Sequence, residues 1–242
     1  PIVVDRTTDE DIRVEDLSIS INANDGSEVT HMQVTSILNG TLYKGTTTEV
    51  SAGDYLLISE LDNIDFEPDL NYHGTGSVGF VSSLDGSSVG GDTALLSITI
   101  HPIIDGSPQY TDGVTDEDIQ TTSGLVITPN GVDGSEVTYF QVSSIINGKL
   151  YKNDGVSELL DGDFVTSGVS GLGLRFTPSA HFNGTGSFVV QGSLDGSTAS
   201  GGSSTVSITV NAVIDGSPIV VDRTTDEDIR VEDLSISINA ND

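Results

Sequence analysis

The sequence contains no cysteine and no tryptophan, and only 8 of its 242 residues are Lys or Arg. Without cysteine, the chain cannot form disulfides, thiolate metal sites or a cysteine nucleophile. The 37 Asp and Glu residues give a formal net charge of −29, which argues against nucleic acid or an anionic membrane surface as a partner. No apolar run approaches the ~18 residues of a membrane-spanning helix. The excess negative charge instead predicts a cationic partner.

Internal repetition is the strongest pattern in the sequence. Residues 218–242 match residues 1–25 at all 25 positions, which sets an exact period of 217 residues. A looser repeat lies within that period, because DGSEVT at 25–30 recurs at 133–138, an offset of 108. The predicted domains are repeat A (1–107), repeat B (108–217) and the truncated start of a further repeat A (218–242). The chain begins at Pro1 without a methionine, so we expect it to be part of a longer alternating array.

The local pattern is that of an all-β protein. Short runs rich in Val, Ile, Thr and Ser are separated by Gly, Asp and Asn clusters, as in sandwiches and barrels. Two long runs alternate apolar with polar residues, which predicts one buried face for each; the apolar residues are Leu96, Ile98 and Ile100, and Val206, Ile208 and Val210. Repeat A has seven predicted strands, near 2–8, 16–22, 28–38, 41–50, 55–67, 76–84 and 94–103. The predicted fold is all-β, with tandem seven-stranded antiparallel sandwiches in a linear array.

The tripeptide Asp-Gly-Ser occurs six times, beginning at Asp25, Asp85, Asp105, Asp133, Asp195 and Asp215. Asp-Gly is a favoured hairpin turn, so turn chemistry explains any single copy. Strand parity adds a second explanation. It places the loops after strands two and six at the top of each domain, and the Thr-Asp-Glu-Asp segments at 8–11 and 115–118 at the bottom. Carboxylates from one domain would then meet those of the next.

We therefore predict acidic junctions between domains. The A–B junction would gather Glu10, Asp11, Asp105, Asp133 and Asp195. The next junction would gather Glu117, Asp118, Asp215 and Asp242, while Asp25 and Asp85 would lie at the top of repeat A. Converging carboxylates need a counter-cation to stay ionised, and an all-oxygen ligand set fits Ca²⁺ better than Mg²⁺ or Zn²⁺. The alternative is that these are solvated acidic loops that keep an extracellular protein soluble.

Several motifs, in their shared order, resemble the cadherin-like repeats of giant bacterial surface adhesins of the RTX type. They are Thr-Asp-Glu-Asp after the first strand, NGTLYK at 39–44, FTPSAHFNGTGSF at 176–188 and VSITVNAVIDGSP at 206–218. The resemblance covers both repeats nearly end to end. It implies Ig-like or cadherin-like sandwiches, Ca²⁺ at the domain junctions, secretion to the bacterial cell surface, and a stiff extender that holds an adhesive tip away from the cell.

The sequence departs from this family at two places. The family linker carries Asn-Asp-Ala-Pro, whereas this chain has Ile-Asp-Gly-Ser-Pro at 104–108 and 214–218. The first Asp-Gly loop also has fewer carboxylates than the family's Asp-x-Asp-Gly-Asp. Both departures bear on the number of ions that each junction would hold.

Two other function classes are alternatives to the extender. We expect no enzyme, because the four histidines (31, 73, 101 and 181) have no catalytic or metal-ligand spacing and no G-x-S-x-G or phosphate loop occurs. A polysaccharide-binding module is the alternative. The absence of Trp argues against it, although Tyr43 and Tyr151 occupy one repeat position and could form a recurring contact. The expected partners are Ca²⁺, neighbouring repeats of the same chain and, in the alternative, a surface polysaccharide.

Overall fold

The computed structural model describes residues 1–168 and 172–239. Two compact units are present, Pro1–Ile103 and Ile104–Asp242. The boundaries at 107 and 217 that the sequence suggested remain predictions. No helix among the described residues is long and apolar enough to cross a membrane.

The first unit, described throughout, is a sandwich of eight strands. They are β1 (Arg6–Asp9), β2 (His31–Leu38), β3 (Gly40–Lys44), β4 (Thr48–Val50), β5 (Tyr55–Leu57), β6 (Ile64–Pro68), β7 (Gly74–Ser83) and β8 (Gly90–His101). One sheet has the order β1-β8-β7-β2-β5 and the other has the order β4-β3-β6. Short 3-10 helices span Gly26–Glu28 and Ile58–Asn63. The all-β sandwich prediction is confirmed.

The predicted strand at 16–22 is not formed. Asp16 and Ser18 have φ angles of 49° and 52°, which interrupt an extended backbone, and the segment contributes only an isolated bridge between Ile2 and Ser20. Two other predicted strands are divided. The run at 41–50 is the β3–β4 hairpin, and the run at 55–67 is split by the second 3-10 helix.

The expectation of wholly antiparallel sheets is wrong for one strand pair in each unit. Strand β1 lies parallel to β8, with Arg6 opposite Ile98 and Asp9 opposite His101. The first and last strands of the unit therefore run in the same direction. As a consequence the chain enters the sandwich at one end and leaves it at the other.

The second unit repeats this plan. Its strands are β9 (Gln109–Tyr110), β10 (Gly113–Asp116), β11 (Val126–Thr128), β12 (Tyr139–Ile146), β13 (Gly148–Lys152), β14 (Glu158–Leu159), β15 (Phe164–Thr166), β16 (Leu172–Pro178), β17 (Gly184–Ser193) and β18 (Ser200–Asn211). Within the described residues they form two five-stranded sheets, β10-β18-β17-β12-β15 and β14-β13-β16-β11-β9, with β10 parallel to β18. A separate two-stranded sheet of β19 (Ile219–Val220) and β20 (Ile236–Ser237) follows.

The predicted alternation in the two longest strands is confirmed. The predicted inward residues of β8, Leu96, Ile98 and Ile100, are at most 2% exposed, and those of β18, Val206, Ile208 and Val210, at most 3%. Each sandwich also buries a phenylalanine ring beneath a glycine. A Cβ atom at Gly40 would lie 2.3 Å from the ring of Phe66, and a Cβ atom at Gly148 would lie equally close to the ring of Phe176. A side chain at this position would clash with the ring. Packing, and not only turn chemistry, therefore explains the glycine of the Asn-Gly motif.

Candidate metal centre

The Thr-Asp-Glu-Asp segments form the same turn in both units. The hydroxyl of Thr8 donates to the carbonyl of Ile12 at 2.9 Å, and Thr115 makes the equivalent bond to Ile119 at 2.8 Å. The last aspartate of each segment has a φ of 60°, a region that Asp tolerates better than most residues. The turn places two consecutive carboxylates beside the end of the last strand of the sandwich.

The glutamate of each turn holds the chain that leaves the sandwich. Glu10 is 1% exposed, its backbone N–H donates to His101, and its Oε1 accepts the N–H of Ile103 at 2.7 Å. Glu117 is 5% exposed and accepts the N–H of Val213 at 2.5 Å. Each of these bonds uses one carboxylate oxygen. The second oxygen gives both residues the capacity to ligate a cation as well.

The final aspartate of each turn accepts a hydrogen bond from the loop before β7 in the first unit and before β17 in the second. Oδ1 of Asp11 accepts the N–H of Asn71 at 2.8 Å. Oδ1 of Asp118 accepts the N–H of His181 at 2.9 Å. Glu10 and Asp11 therefore lie at the exit end of the first unit, and Glu117 and Asp118 at the exit end of the second, as the parity argument expected within each domain.

The exit end of the second unit brings two predicted ligands together with a histidine. Nδ1 of His181 lies 3.4 Å from Oδ2 of Asp118 and 3.8 Å from Oδ2 of Asp215. One ligand atom from each of the three residues lies within 4.8 Å of the other two. Sequence reasoning treated His181 as a turn and surface residue, and it is an exposed turn residue. Its two acidic neighbours are 63 and 34 positions away, so only the fold could reveal the group.

The entrance end of the second unit joins two other predicted residues. Asp133 is 4% exposed, and its Oδ1 accepts the N–H groups of Asp105 at 2.8 Å and Gly106 at 3.1 Å. The carboxylate of the first Asp-Gly-Ser of repeat B thus accepts hydrogen bonds from the backbone of the Asp-Gly-Ser in the preceding linker. The side chain of Asp105 itself is exposed. Asp242, the last predicted ligand, lies outside the described residues.

Asp85 and Asp195 make the contacts of ordinary Asp-Gly-Ser turns. Oδ1 of Asp85 accepts the N–H groups of Ser87 and Ser88, and these bonds hold the pKa of Asp85 well below its usual range. The Ser197 hydroxyl, with N–H donors of the same loop, lowers the pKa of Asp195 in the same way. Their carboxylates are largely used within their own loops. A metal role for these two residues remains a prediction.

Asp25 lies near the Asp85 loop, as the parity argument expected. It precedes the first 3-10 helix. Asp25, Glu28 and Asp92 line one surface hollow of the first unit with Leu84 and Ser88 of that loop. Sequence reasoning did not single out Glu28 or Asp92. Asp92 lies on β8 beyond the Asp-Gly-Ser motif, so no motif marked it.

Tyr43, the candidate sugar contact, has one ring face covered. The guanidinium carbon of Arg13 lies 4.2 Å from the centroid of the Tyr43 ring. Arg13 is fixed there by Glu67, whose Oε2 accepts from Nε at 2.9 Å and also from an Nη. The hydrogen bond to Glu67 raises the pKa of Arg13, so the cation persists at all relevant pH. This face of the ring is therefore not an open stacking platform.

No family model and no curated protein matches the chain. Among solved structures, human CDH23 EC21–23 is similar at 13% identity and a TM-score of 0.51, covering 96% of this chain and 76% of that one. The fold is cadherin-like. Protocadherin gammaB7 EC3–6, a cis-dimer structure, has 11% identity and a TM-score of 0.49 over 92% of this chain and 49% of that one. The extracellular cadherin domains 3–6 of protocadherin gamma B2 have 13% identity and a TM-score of 0.47, with coverages of 89% and 47%.

At these identities the similarity establishes the fold alone. It confirms the cadherin-like sandwich that the sequence motifs implied. Because β1 is parallel to β8 and β10 is parallel to β18, the chain enters each sandwich at one end and leaves it at the other. The acidic residues at these two ends are the candidate metal ligands.

Proposed function

We propose that this chain is a Ca²⁺-stabilised extender region of a large, secreted bacterial surface adhesin of the RTX type. In this role it projects an adhesive tip from the cell and has no enzymatic activity. The observation that carries the proposal is the convergence of carboxylates where the chain leaves a sandwich. Glu117 accepts the N–H of Val213 in the outgoing chain. One oxygen each of Asp118 and Asp215 lies within 3.8 Å of Nδ1 of His181.

The donor chemistry at these ends fits Ca²⁺. Carboxylate and carbonyl oxygens are its usual ligands, six to eight of them. In the proposed sites Ca²⁺ would be held by Glu10, Asp11, Asp105, Asp133 and Asp195, and by Glu117, Asp118, Asp215 and Asp242, with Asp25 and Asp85 serving a preceding repeat. The imidazole of His181 is a nitrogen donor that Ca²⁺ does not favour. We therefore assign Ca²⁺ to the oxygens of Asp118 and Asp215 and leave the ring outside the site.

Bound Ca²⁺ would act on both stability and stiffness. Extracellular sites of this kind bind with dissociation constants of about 10⁻⁴–10⁻³ M. At a Ca²⁺ concentration about a hundredfold above the dissociation constant, one site adds about 2.7 kcal/mol to the stability of the bound form. Its charge also offsets the repulsion among carboxylates. Since the ligands proposed from the sequence come from adjoining repeats, the same free energy would restrain the linker between them.

The test is small-angle X-ray scattering with thermal melting, first in EDTA and then across a Ca²⁺ titration. We expect the maximum dimension and the melting temperature to rise at sub-millimolar to millimolar Ca²⁺. The variant Asp105→Ala keeps the backbone N–H that Asp133 accepts, so we expect it to lose part of the extension while its melting temperature in EDTA is unchanged. Asp62→Asn, an exposed residue of a 3-10 helix, is the matched charge control. A calcium-insensitive shape would contradict the proposal.

A further inference from the structure

The loop before β17 carries a histidine where the first unit has an asparagine. The aligned repeats, HFNGTGS at 181–187 and NYHGTGS at 71–77, place His181 at the position of Asn71. In both loops this residue has a φ of 55° and donates its N–H to the last aspartate of the turn, at 2.9 Å in the second unit and 2.8 Å in the first. The backbone of the loop therefore does not require a histidine, and the fold of the loop does not account for the ring.

The imidazole lies between carboxylates from two other segments of the second unit. Nδ1 of His181 is 3.4 Å from Oδ2 of Asp118 and 3.8 Å from Oδ2 of Asp215, and one ligand atom from each residue lies within 4.8 Å of the other two. In a tetrahedral site with metal–ligand distances of about 2.0–2.2 Å, neighbouring donor atoms are about 3.3–3.6 Å apart. Small side-chain rotations would bring the three atoms onto one ion.

Hydrogen bonds to the backbone hold these donors in place. Asp118 uses Oδ1 to accept the N–H of His181, so one residue both positions the histidine and offers a second oxygen beside its ring. Glu117 is 5% exposed and accepts the N–H of Val213, two positions before Asp215. Through these two bonds the turn after β10 fixes both the loop and the outgoing chain that carry the other donors.

The donor types decide which metal this group would take. Ca²⁺ and Mg²⁺ prefer oxygen ligands, whereas a set of imidazole and carboxylates suits Zn²⁺ and related transition-metal ions. We propose that Asp118, His181 and Asp215 form a binding site for a divalent cation of the zinc class, with Nδ1 as the nitrogen ligand and water completing the coordination. The bound ion joins the turn, the loop and the outgoing chain of the second unit.

This site shares the oxygens of Asp118 and Asp215 with the proposed Ca²⁺ site, so that each ion would exclude the other. The competition rests on the proposed function, whereas the zinc site rests on the side-chain geometry alone. Because Asn71 takes the place of the ring in repeat A, we expect repeats A and B to differ in their response to Zn²⁺.

The test is calorimetric titration of the full chain with Zn²⁺ in Ca²⁺-free buffer at neutral pH. His181→Asn installs the residue that the first unit carries in the same loop, so we expect its melting temperature in EDTA to be unchanged. Loss of a residue that merely orients a metal ligand typically weakens binding about 10–100-fold, so loss of the ligand itself should weaken Zn²⁺ binding at least about tenfold. His101→Asn is the matched control, because His101 is exposed and Asn211 occupies its position in the second unit. It should bind Zn²⁺ as the wild type does.

Nitrogen-15 NMR of the histidine rings gives a second readout, since the Nδ1 signal of His181 should move as Zn²⁺ is added. The proposal is overturned if the wild type and His181→Asn bind Zn²⁺ equally, or if that signal is unchanged at saturating Zn²⁺. Added Ca²⁺ should lower the apparent affinity for Zn²⁺. A His181-dependent Zn²⁺ site that Ca²⁺ does not affect would contradict the assignment of Ca²⁺ to these oxygens. Conversely, Ca²⁺-dependent melting and extension without Zn²⁺ binding would contradict the zinc site and leave the proposed function intact.

Discussion

The same 22 residues appear at 1–22, packed into a sandwich, and at 218–239, largely in solvent. Their local hydrogen bonds agree closely. Thr8 donates to Ile12 at 2.9 Å, and Thr225 donates to Ile229 at the same distance. An arginine donates to a serine hydroxyl 12 residues later in each copy, at 2.6 Å in the first and 2.9 Å in the second. Bonds that join residues close in sequence therefore need nothing from the rest of the domain.

The contacts that differ are those that cross to another part of the chain. Strand β1 of the first copy pairs with β8, and Ser97 donates its N–H to Asp5. The equivalents of β1, residues 223–226, have no strand assignment in the part of the chain that the structure describes. The turn therefore forms from the sequence of the segment alone. The strand and the buried face form only where the rest of the sandwich is there to pair and pack with the segment.

Amide exchange should separate the two copies most strongly. The N–H of Leu17 is bonded to the carbonyl of Ile64 within the sandwich, whereas Leu234 lies in an exposed segment. Core amides open only with the free energy of unfolding, about 5 kcal/mol or more, while exposed segments open at almost no cost. We expect Leu17 to exchange at least about a thousandfold more slowly in NMR measurements. Similar rates would mean that the first copy docks only transiently.

Truncation of the equivalent leucines should give the next largest difference. Leu17→Ala removes a fully buried side chain and should cost about 2–5 kcal/mol in the free energy of unfolding of the first unit. Leu234→Ala changes a side chain that is 58% exposed and should stay within about 0.5 kcal/mol. Urea unfolding measures both variants, with the methyl signal of Met32, buried in the core of the first unit, reporting on that unit and circular dichroism reporting on both units. Equal effects would show that the two environments are the same in solution.

Removal of the shared turn bond should have a smaller effect. Thr8→Val deletes the hydroxyl that donates to Ile12, and we expect it to destabilise the first unit by about 1 kcal/mol. Thr225→Val deletes the matching bond in the second copy. It should leave the unfolding of the first unit unchanged, because that copy contributes nothing to its core. The same urea assay tests the pair, and a loss of stability from Thr225→Val would contradict the comparison.

The smallest effect concerns a carboxylate outside both copies. The Ser157 hydroxyl, with the N–H groups of Ser157 and Val156, lowers the pKa of Asp154 to about 2. A lowered pKa contributes stability above the unfolded value of about 3.9, and that contribution is lost as pH falls through about 2. Asp154→Asn should therefore flatten the acid dependence of the second unit between about pH 4 and 2 in thermal melts.

The first unit supplies the control for this prediction. The corresponding β3–β4 loop of the first unit, residues 45–47, is Gly-Thr-Thr and has no carboxylate. Its acid dependence, followed by Met32, should be the same with and without Asp154→Asn. A change in the first unit would show that the effect is one of net charge and not of the Asp154 turn.

Sequence reasoning anticipated features that depend on neighbours in sequence. The alternation of Leu96, Ile98 and Ile100 with polar residues correctly gave the buried face of β8, because side chains on a strand point to opposite faces in turn. The Thr-Asp-Glu-Asp segments were also placed at the correct end of each domain. The strand expected at 16–22 was wrong, since two residues there adopt left-handed backbone angles that composition does not reveal.

The candidate site was anticipated in part. Strand parity brought Asp118 and Asp215 to one end, and the structure has both beside His181. The histidine itself was missed, because its position in the loop before β17 carries no metal-binding spacing. Whether these groups bind Ca²⁺ stays a prediction that the scattering and melting experiments address.

The sequence by itself determined the repeat and the acidic charge, which are properties of the chain whatever its fold, and the sandwich periodicity and local turns, which depend on residues within a few positions of one another. Only the tertiary structure decided that β1 lies parallel to β8 and that Glu10 and Glu117 accept backbone N–H groups just after the last strand of each sandwich. It also decided that Leu17 is buried while Leu234 is not. Those outcomes require partners up to 96 positions away along the chain. The identical copies separate the two kinds of information, because the sequence is constant and only the partner changes.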